Sequence, residues 1–280
     1  MIKKYYNEGE LLDVAGLNKI IVLIDRTKTE FTETGWNSWT PNQDGPPHKH
    51  NDKDQVFYVT DGVGIIKLGD KEYVAKPGSL AYVPAGIVHQ TITTTDVPLS
   101  YILFNVFRSK NKEGHATFAE HIEKVKQIRR QQADSGNATV DNEKQLDDIK
   151  ASKYYVNLDE GAKFEFGSNT ATLLIDRKDA NRTEVTCVTW RDGQREAMVE
   201  HKDKEQTFFV LDGKGKITVG DETEMVGKGE IVFVPRNIPN SFEAVDGDLT
   251  CLCMSGLSEN VEDESFEKMY ERVSTNRVGE

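Results

Sequence analysis

The chain repeats itself. The tetrapeptide LIDR stands at Leu23–Arg26 and again at Leu174–Arg177, 151 positions later. The same offset carries Trp39 onto Trp190, His50 onto His201, Gln55 onto Gln206 and Phe57 onto Phe208. It continues through Gly64 onto Gly215, Gly78 onto Gly229 and Pro84 onto Pro235, with no gap needed between residues 23 and 89. Chance does not hold a register that long, so the 280 residues are two duplicated units. Each unit has the length of an ordinary domain and can bury a core without staples.

Within each unit the apolar runs are short and β-rich, as in QVFYVTDGVGIIKLG and SLAYVPAG. DGVG (61–64) and DGKG (212–215) mark hairpin turns, as do LGD (68–70) and VGD (219–221). Short, evenly spaced strands with Gly and Pro punctuation predict a sandwich or barrel. The tripeptide KYY at Lys4–Tyr6 and Lys153–Tyr155 extends the repeat towards the start of each unit. Each unit ends in a helical stripe: Phe118, Ile122, Val125 and Arg129, with Thr117 as N-cap, and then Phe266, Met269, Tyr270 and Val273. These stripes are expected to pack against a barrel or a partner subunit. The segment ADSGNATVDNEKQ (133–145) is polar, lacks periodicity and reads as a linker. The expected layout is a first barrel over residues 1–110 and a helix with polar linker over 111–150. A second barrel follows over 151–257, then a C-terminal helix over 258–280.

A formal net charge of −12 argues against nucleic acid and against an anionic membrane surface, both of which select clustered Lys and Arg. No stretch approaches the ~18 apolar residues of a membrane span. The opening MIKKYYNEGE lacks an apolar signal region, so a cytoplasmic protein is expected. Three cysteines are not a disulfide framework. Cys251 and Cys253, at i, i+2, read as small buried neighbours on one strand face.

The chemistry concentrates in the first unit. His48 and His50, two apart, leave the same face of an extended segment. Gln55 opens the following strand, and the tight turn PAGIV returns His89 towards the same place. Three neutral imidazoles and an amide oxygen suit one divalent transition metal (Fe, Mn, Ni, Cu or Zn) rather than Ca or Mg. Three of the six histidines fall in this set. His115 and His121, in or beside the helix, read as ordinary surface residues. The second unit offers Val199, His201, Gln206 and Asn240 at the matching positions, a poor set for such an ion. Its nearby acids Glu200 and Glu205 read as part of a solvated charge run, EHKDKE.

GPPHKHNDKDQVFYVTDGVG and PGSLAYVPAGIVHQ resemble the two motifs of the cupin superfamily, G-x5-H-x-H-x3-4-E-x6-G and G-x5-P-x-G-x2-H-x3-N. Gly45 lies closer to the first His than the pattern asks, Gln55 stands in place of the acid, and Thr93 replaces the final Asn. The resemblance implies an all-β fold of two tandem cupin (double-stranded β-helix, jelly-roll) barrels, each followed by a short helix. It implies a metal held by His48, His50, Gln55 and His89 in the N-terminal barrel, and a homodimer through an edge sheet or the equivalent pairing within one chain. In many cupin enzymes the glutamate is both ligand and base, whereas Gln55 offers a carbonyl oxygen but takes no proton. Quercetinase-like dioxygenases are among tandem cupins, so dioxygenase chemistry on a small oxygenated organic molecule is slightly favoured. The alternatives are a non-redox isomerase, cyclase or lyase, and a non-catalytic small-molecule (sugar-like) binding module.

Aromatic residues near the motifs can line a pocket above the metal. Trp36, Phe57, Tyr82 and Phe104 are the candidates, with Trp39 and Tyr101 also close. Trp39 and Phe57 recur as Trp190 and Phe208, which favours a structural role for those two, and leaves Trp36 and Tyr82 as the better candidates.

Overall fold

The computed structural model describes residues 1–112, 116–135, 154–258 and 264–277. The chain forms two compact units, Tyr6–Asn157 and Leu158–Glu280 together with Met1–Tyr5.

In the N-terminal unit the strands run β2 (Leu11–Val14), β3 (Asn18–Ile24), β4 (Thr32–Trp39), β5 (Lys53–Asp61) and β6 (Gly64–Leu68). They continue with β7 (Lys71–Ala75), β8 (Ser79–Val83), β9 (His89–Thr93) and β10 (Leu99–Phe107). Helix α1 (Phe118–Ser135) and strand β11 (Tyr155–Asn157) complete the unit. One antiparallel sheet has the order β11-β8-β5-β10-β4-β3-β2, and a second has β7-β6-β9. Both contribute to one core, in which Phe57, Val59 and Leu103 of the large sheet meet Ile66 and Leu68 of the small one. This is the two-sheet jelly-roll arrangement, and the helix adds Phe118 and Ile122 to the same core.

The C-terminal unit repeats it. Its strands are β1 (Ile2–Tyr5), β12 (Ala162–Glu165), β13 (Asn169–Ile175), β14 (Thr183–Trp190), β15 (Lys204–Asp212) and β16 (Lys214–Val219). They continue through β17 (Glu222–Gly227), β18 (Glu230–Val234), β19 (Asn240–Ala244) and β20 (Leu249–Leu257), and α2 (Phe266–Arg277) follows. The sheet orders are β1-β18-β15-β20-β14-β13-β12 and β17-β16-β19. Cys251 and Cys253 are both buried in the core of this unit, as their spacing predicted.

Two short strands correct the expected boundaries. Residues 2–5, grouped on sequence with the first barrel, pair with β18 of the C-terminal unit, and β11 pairs with β8 of the N-terminal unit. Open sheet edges capture whichever strand satisfies their unpaired N–H and C=O groups, a choice that leaves little trace in residue pattern. The KYY tripeptides are also out of register: Tyr5 lies opposite Glu230, whereas Asn157 lies opposite the equivalent residue, Ser79.

The LIDR repeat has a structural reason in each half. Asp25 accepts from the backbone N of Phe118 at 3.1 Å, and Asp176 from that of Phe266 at 3.2 Å, so each aspartate ties down the first turn of the helix that follows its barrel. Burial works against the Asp25 carboxylate, but the bonds from Thr27 and Phe118 hold its pKa below the usual range. Thr117 caps α1 as predicted, accepting from Glu120 N at 3.1 Å. Arg26 and Arg177 pair with the buried Glu33 and Glu184 at 2.7 and 2.5 Å. The expected linker lies largely outside the described residues.

Candidate metal centre

His48 and His89 are joined by the backbone. His48 N donates to His89 O at 3.0 Å and His89 N donates to His48 O at 2.8 Å, which places the two side chains as cross-strand neighbours. Their ring centroids are 4.2 Å apart. His50 follows two residues after His48, and its carbonyl accepts from Gly86 N at 2.7 Å. That bond fastens the first motif to the PAGIV turn, where Gly86 adopts a left-handed φ of 87°. The His50 ring lies 5.2 Å from His48 and 5.5 Å from His89, centroid to centroid. One ligand nitrogen from each of the three lies within 4.8 Å of the others.

The tautomers are set by carbonyl oxygens. His48 Nδ1 lies 3.0 Å from Pro46 O and His89 Nδ1 lies 3.2 Å from Ile87 O, so each Nδ1 carries the proton and each Nε2 keeps its lone pair. His89 Nε2 is buried and has no hydrogen-bond partner. Burial, with smaller contributions from the Arg129 and Lys53 cations, takes His48 down to about 4 against the pull of the Pro46 bond. Burial likewise pushes His50 and His89 well below the usual imidazole value. All three are neutral at ordinary pH, the form that binds metal.

Gln55 enters from β5. Its Nε2 donates to Asn105 Oδ1 at 2.8 Å, and its Oε1 is buried without a hydrogen-bond partner on the wall of the same cavity. Two orphaned buried acceptors, His89 Nε2 and Gln55 Oε1, are costly unless a cation or donor joins them. The donor set of three imidazoles and one amide oxygen fits a divalent first-row ion.

The cavity holds about 310 Å³. Beside the histidines it is lined by Trp39, Phe57, Tyr101 and Leu103 from the barrel, and by Phe118, Ile122 and Val125 from α1. Among the described residues its wall contains Lys49, Lys53, Lys124 and Arg129 and no Asp or Glu.

The cupin domain family matches residues 37–105 and again 188–255, the segments that build the two barrels. The chain is a tandem cupin. The bicupin is 27% identical over 90 residues to the quercetin 2,3-dioxygenase of Bacillus subtilis, covering 32% of this chain and 27% of that enzyme. It is 37% identical over 49 residues to an uncharacterized protein of Streptomyces coelicolor, covering 18% of this chain and 47% of the relative. The matches thus span about half or less of these relatives' lengths. The fold is similar to that of the Lactobacillus farciminis oxalate decarboxylase, with a TM-score of 0.63 and 12% identity over 91% of this chain and 86% of that one. A putative glyoxylate-induced protein of Pseudomonas aeruginosa gives a TM-score of 0.64 and 14% identity, over 93% of the bicupin and 85% of its own chain.

Of the four aromatic pocket candidates, Phe57 lines the cavity of the bicupin and Trp36, Tyr82 and Phe104 do not. Strand alternation puts those three on the opposite face: Asn37 and Trp39, Ala81 and Val83, and Leu103 and Asn105 are the inward neighbours. Trp39 and Tyr101 are lining residues, so recurrence as Trp190 did not remove Trp39 from the site. His121 is a further correction. It lines the cavity from α1, with its ring 6.2 Å from that of His50, and is not an ordinary surface residue. His115 lies outside the described residues. Arg129, assigned on sequence to a packing stripe, also reaches the cavity. The stripe of α1 is therefore both packing face and cavity wall.

The second barrel keeps the scaffold but loses two of the three imidazoles, with Val199 and Asn240 in the places of His48 and His89. Val199 and Asn240 exchange backbone bonds at 2.9 and 2.8 Å, as His48 and His89 do. Asn237 takes the left-handed φ (57°) in place of Gly86 and donates its N to His201 O at 2.8 Å. Asn tolerates that conformation, so the turn survives loss of its glycine. Asn240 spends its amide on Val199 O and Ile238 O at 3.2 and 3.3 Å. Glu200 and Lys202 are exposed, but Lys204 and Glu205 are buried at 7% and 1% exposure, so only the first part of the run EHKDKE is a solvated face.

Proposed function

We propose that this bicupin is a metal-dependent enzyme whose single reaction centre is the N-terminal barrel, acting on a small oxygenated organic molecule, with dioxygenase chemistry favoured. The observation that carries the reading is the convergence of the His48, His50 and His89 nitrogens on one cavity that also receives the orphaned Gln55 Oε1. Similarity to a quercetin 2,3-dioxygenase supports the choice of reaction class.

His48, His50, His89 and Gln55 would hold the ion. When bound, a divalent ion there supplies an uncompensated double charge that acidifies a coordinated hydroxyl. The chain's own residues do the rest. Gln55 accepts no proton and no carboxylate among the described residues lines the wall, so the substrate is one that arrives as, or readily becomes, an enolate. Trp39, Phe57, Phe118 and Val125 offer its apolar body a dry surface. Tyr101, whose pKa burial raises, stays protonated and keeps its hydroxyl in the hydrogen-bonded wall.

The test is metal analysis of protein purified without added metal, followed by oxygen uptake with flavonols and other enolisable hydroxy-ketones. One iron, copper, nickel or manganese per chain with substrate-dependent oxygen consumption is expected. Zinc with anaerobic turnover would place the protein among non-redox cupins instead. Absence of any stoichiometric metal would overturn the enzyme reading.

A further inference from the structure

Arg129 lines the N-terminal cavity from α1. Its Nη1 donates to Asn18 Oδ1 at 2.6 Å, and its guanidinium carbon lies 5.3 Å from the centre of the Trp39 ring. Among the described residues no carboxylate pairs with it. Other arginines of this unit do have acids, Arg26 on Glu33 at 2.7 Å and Arg108 on Asp54 at 3.5 Å. A guanidinium has five N–H donors in a planar fork, the bond to Asn18 uses one of them, and the residue lines the cavity. Burial pulls Arg129 down to about 10, which still leaves it charged at neutral pH. A desolvated cation without a counter-ion is expensive, so this one calls for an anion.

The wall behind Arg129 is built rather than incidental. Asn18 Nδ2 donates to Asn37 Oδ1 at 2.6 Å, and Asn37 Nδ2 donates to the Tyr101 hydroxyl at 3.1 Å. Trp39 Nε1 donates to that same hydroxyl at 2.7 Å, which fixes the ring on which the guanidinium rests. The chain of bonds leaves Asn18 Oδ1 as the acceptor presented to Arg129. In the other unit Asn169 and Trp190 keep the places of Asn18 and Trp39, but the chain of bonds does not persist. Cys251 stands opposite Val188 where Tyr101 stands opposite Asn37, and Trp190 Nε1 is buried without a partner. The C-terminal cavity also carries Glu184, Glu196, Glu200, Asp203 and Glu264, whereas the N-terminal one carries no acid among the described residues.

We infer that Arg129, held by Asn18 and Trp39, is the seat for a carboxylate of the substrate, so that the molecule taken by the N-terminal barrel is an organic acid anion with an apolar body. The inference rests on reading this cavity as the substrate site. The carboxylate meets the guanidinium fork, the body lies along Phe57, Phe118 and Val125, and the reacting oxygens face the three histidines.

Calorimetric titration with benzoate and with its neutral near-isostere benzamide separates charge from shape. It is run on the full-length protein after chelator treatment, so that metal plays no part and failure of the metal reading leaves the result intact. Wild type is expected to prefer benzoate by roughly tenfold or more. Arg129→Gln should bring the two probes to parity, and Arg129→Lys should keep part of the preference because charge survives without the fork. An unchanged melting temperature in either variant shows that α1 remains seated. Equal binding of the probes by wild type, no benzoate binding at all, or an undiminished preference in Arg129→Gln would each overturn the inference.

Discussion

Gln55 donates its side-chain N–H to Asn105 Oδ1 across 2.8 Å, and that bond decides which end of the amide faces the histidines. The choice is forced from further out. Glu33 is held by Arg26 and lies 3.6 Å from Lys53, and as a carboxylate it only accepts. Asn105 must therefore present its NH2 to Glu33, which it does at 2.6 Å, leaving its oxygen for Gln55. Gln55 in turn presents NH2 to Asn105 and keeps Oε1 for the cavity. A buried acid, third in this line of groups, thus fixes the polarity of a proposed metal ligand.

Breaking this relay should weaken metal binding without touching a ligand. Asn105→Ala frees the Gln55 amide to rotate, and the expected loss is about 10–100-fold in metal affinity, the usual cost of removing an outer partner of a metal ligand. Competition with a chromophoric chelator measures it. An unchanged affinity would show that Gln55 Oε1 is not a ligand.

The two barrels provide an internal control for the histidines. His89→Ala removes the buried Nε2 acceptor and should abolish stoichiometric metal. Asn240→Ala, at the equivalent place, deletes only amide bonds to Val199 O and Ile238 O and should leave metal content unchanged. Elemental analysis of both purified variants gives the answer, and a loss of metal in the second would mean that the C-terminal barrel also binds an ion.

The fold and the histidine triad were legible because their signals are local: turn glycines, paired motifs and a gapless repeat. The cavity wall was less so. β10 is buried at every residue, and β5, β8 and β4 are largely buried on both faces, so apolar character does not tell Phe104 or Tyr82 from a lining residue. Phase does. Gln55 fixes Phe57 inward, and cross-strand pairing of Phe57 with Ala81 and Leu103 fixes the rest, excluding Tyr82 and Phe104. His121 and Arg129 had a signal as well, lying three and eleven residues after Phe118, but which face of α1 meets a cavity is a tertiary fact.

Seating of that helix depends on Gly35. A Cβ built there would come 2.9 Å from Phe118 Cε1 and 3.1 Å from Ile21 O, so the close approach of α1 to β4 needs a residue without one. Gly35→Val should cost about 1–3 kcal/mol through overpacking and shift α1 outward. A lower melting temperature together with faster proteolysis within α1 is expected. A stable variant with an unaltered helix would mean that the Phe118 ring moves aside freely.

Acid should destabilise the C-terminal unit through His201. Burial, aided by the Lys204 cation and opposed by Asp203 and Glu184, pushes its pKa down to about 3 from the ordinary 6.5. Between those values the unfolded chain binds the proton and the folded one does not, so stability falls as pH falls through the window from about 6.5 to about 3. Above 6.5 the residue is neutral in both states and contributes nothing to the slope. Over the full window the penalty is on the order of 5 kcal/mol. Glu184, held at about 2 by Lys204 and Arg177 against the cost of its burial, adds a loss of the same sign only below about pH 4.5. His48, His50 and His89, also depressed, add a dependence of the same sign in the chelator-treated protein, so the contribution of His201 is the difference between wild type and His201→Gln in urea titrations between pH 7 and 5. His201→Gln should make that dependence shallower, and a variant that keeps the wild-type slope would show that the imidazole is already protonated in the folded unit.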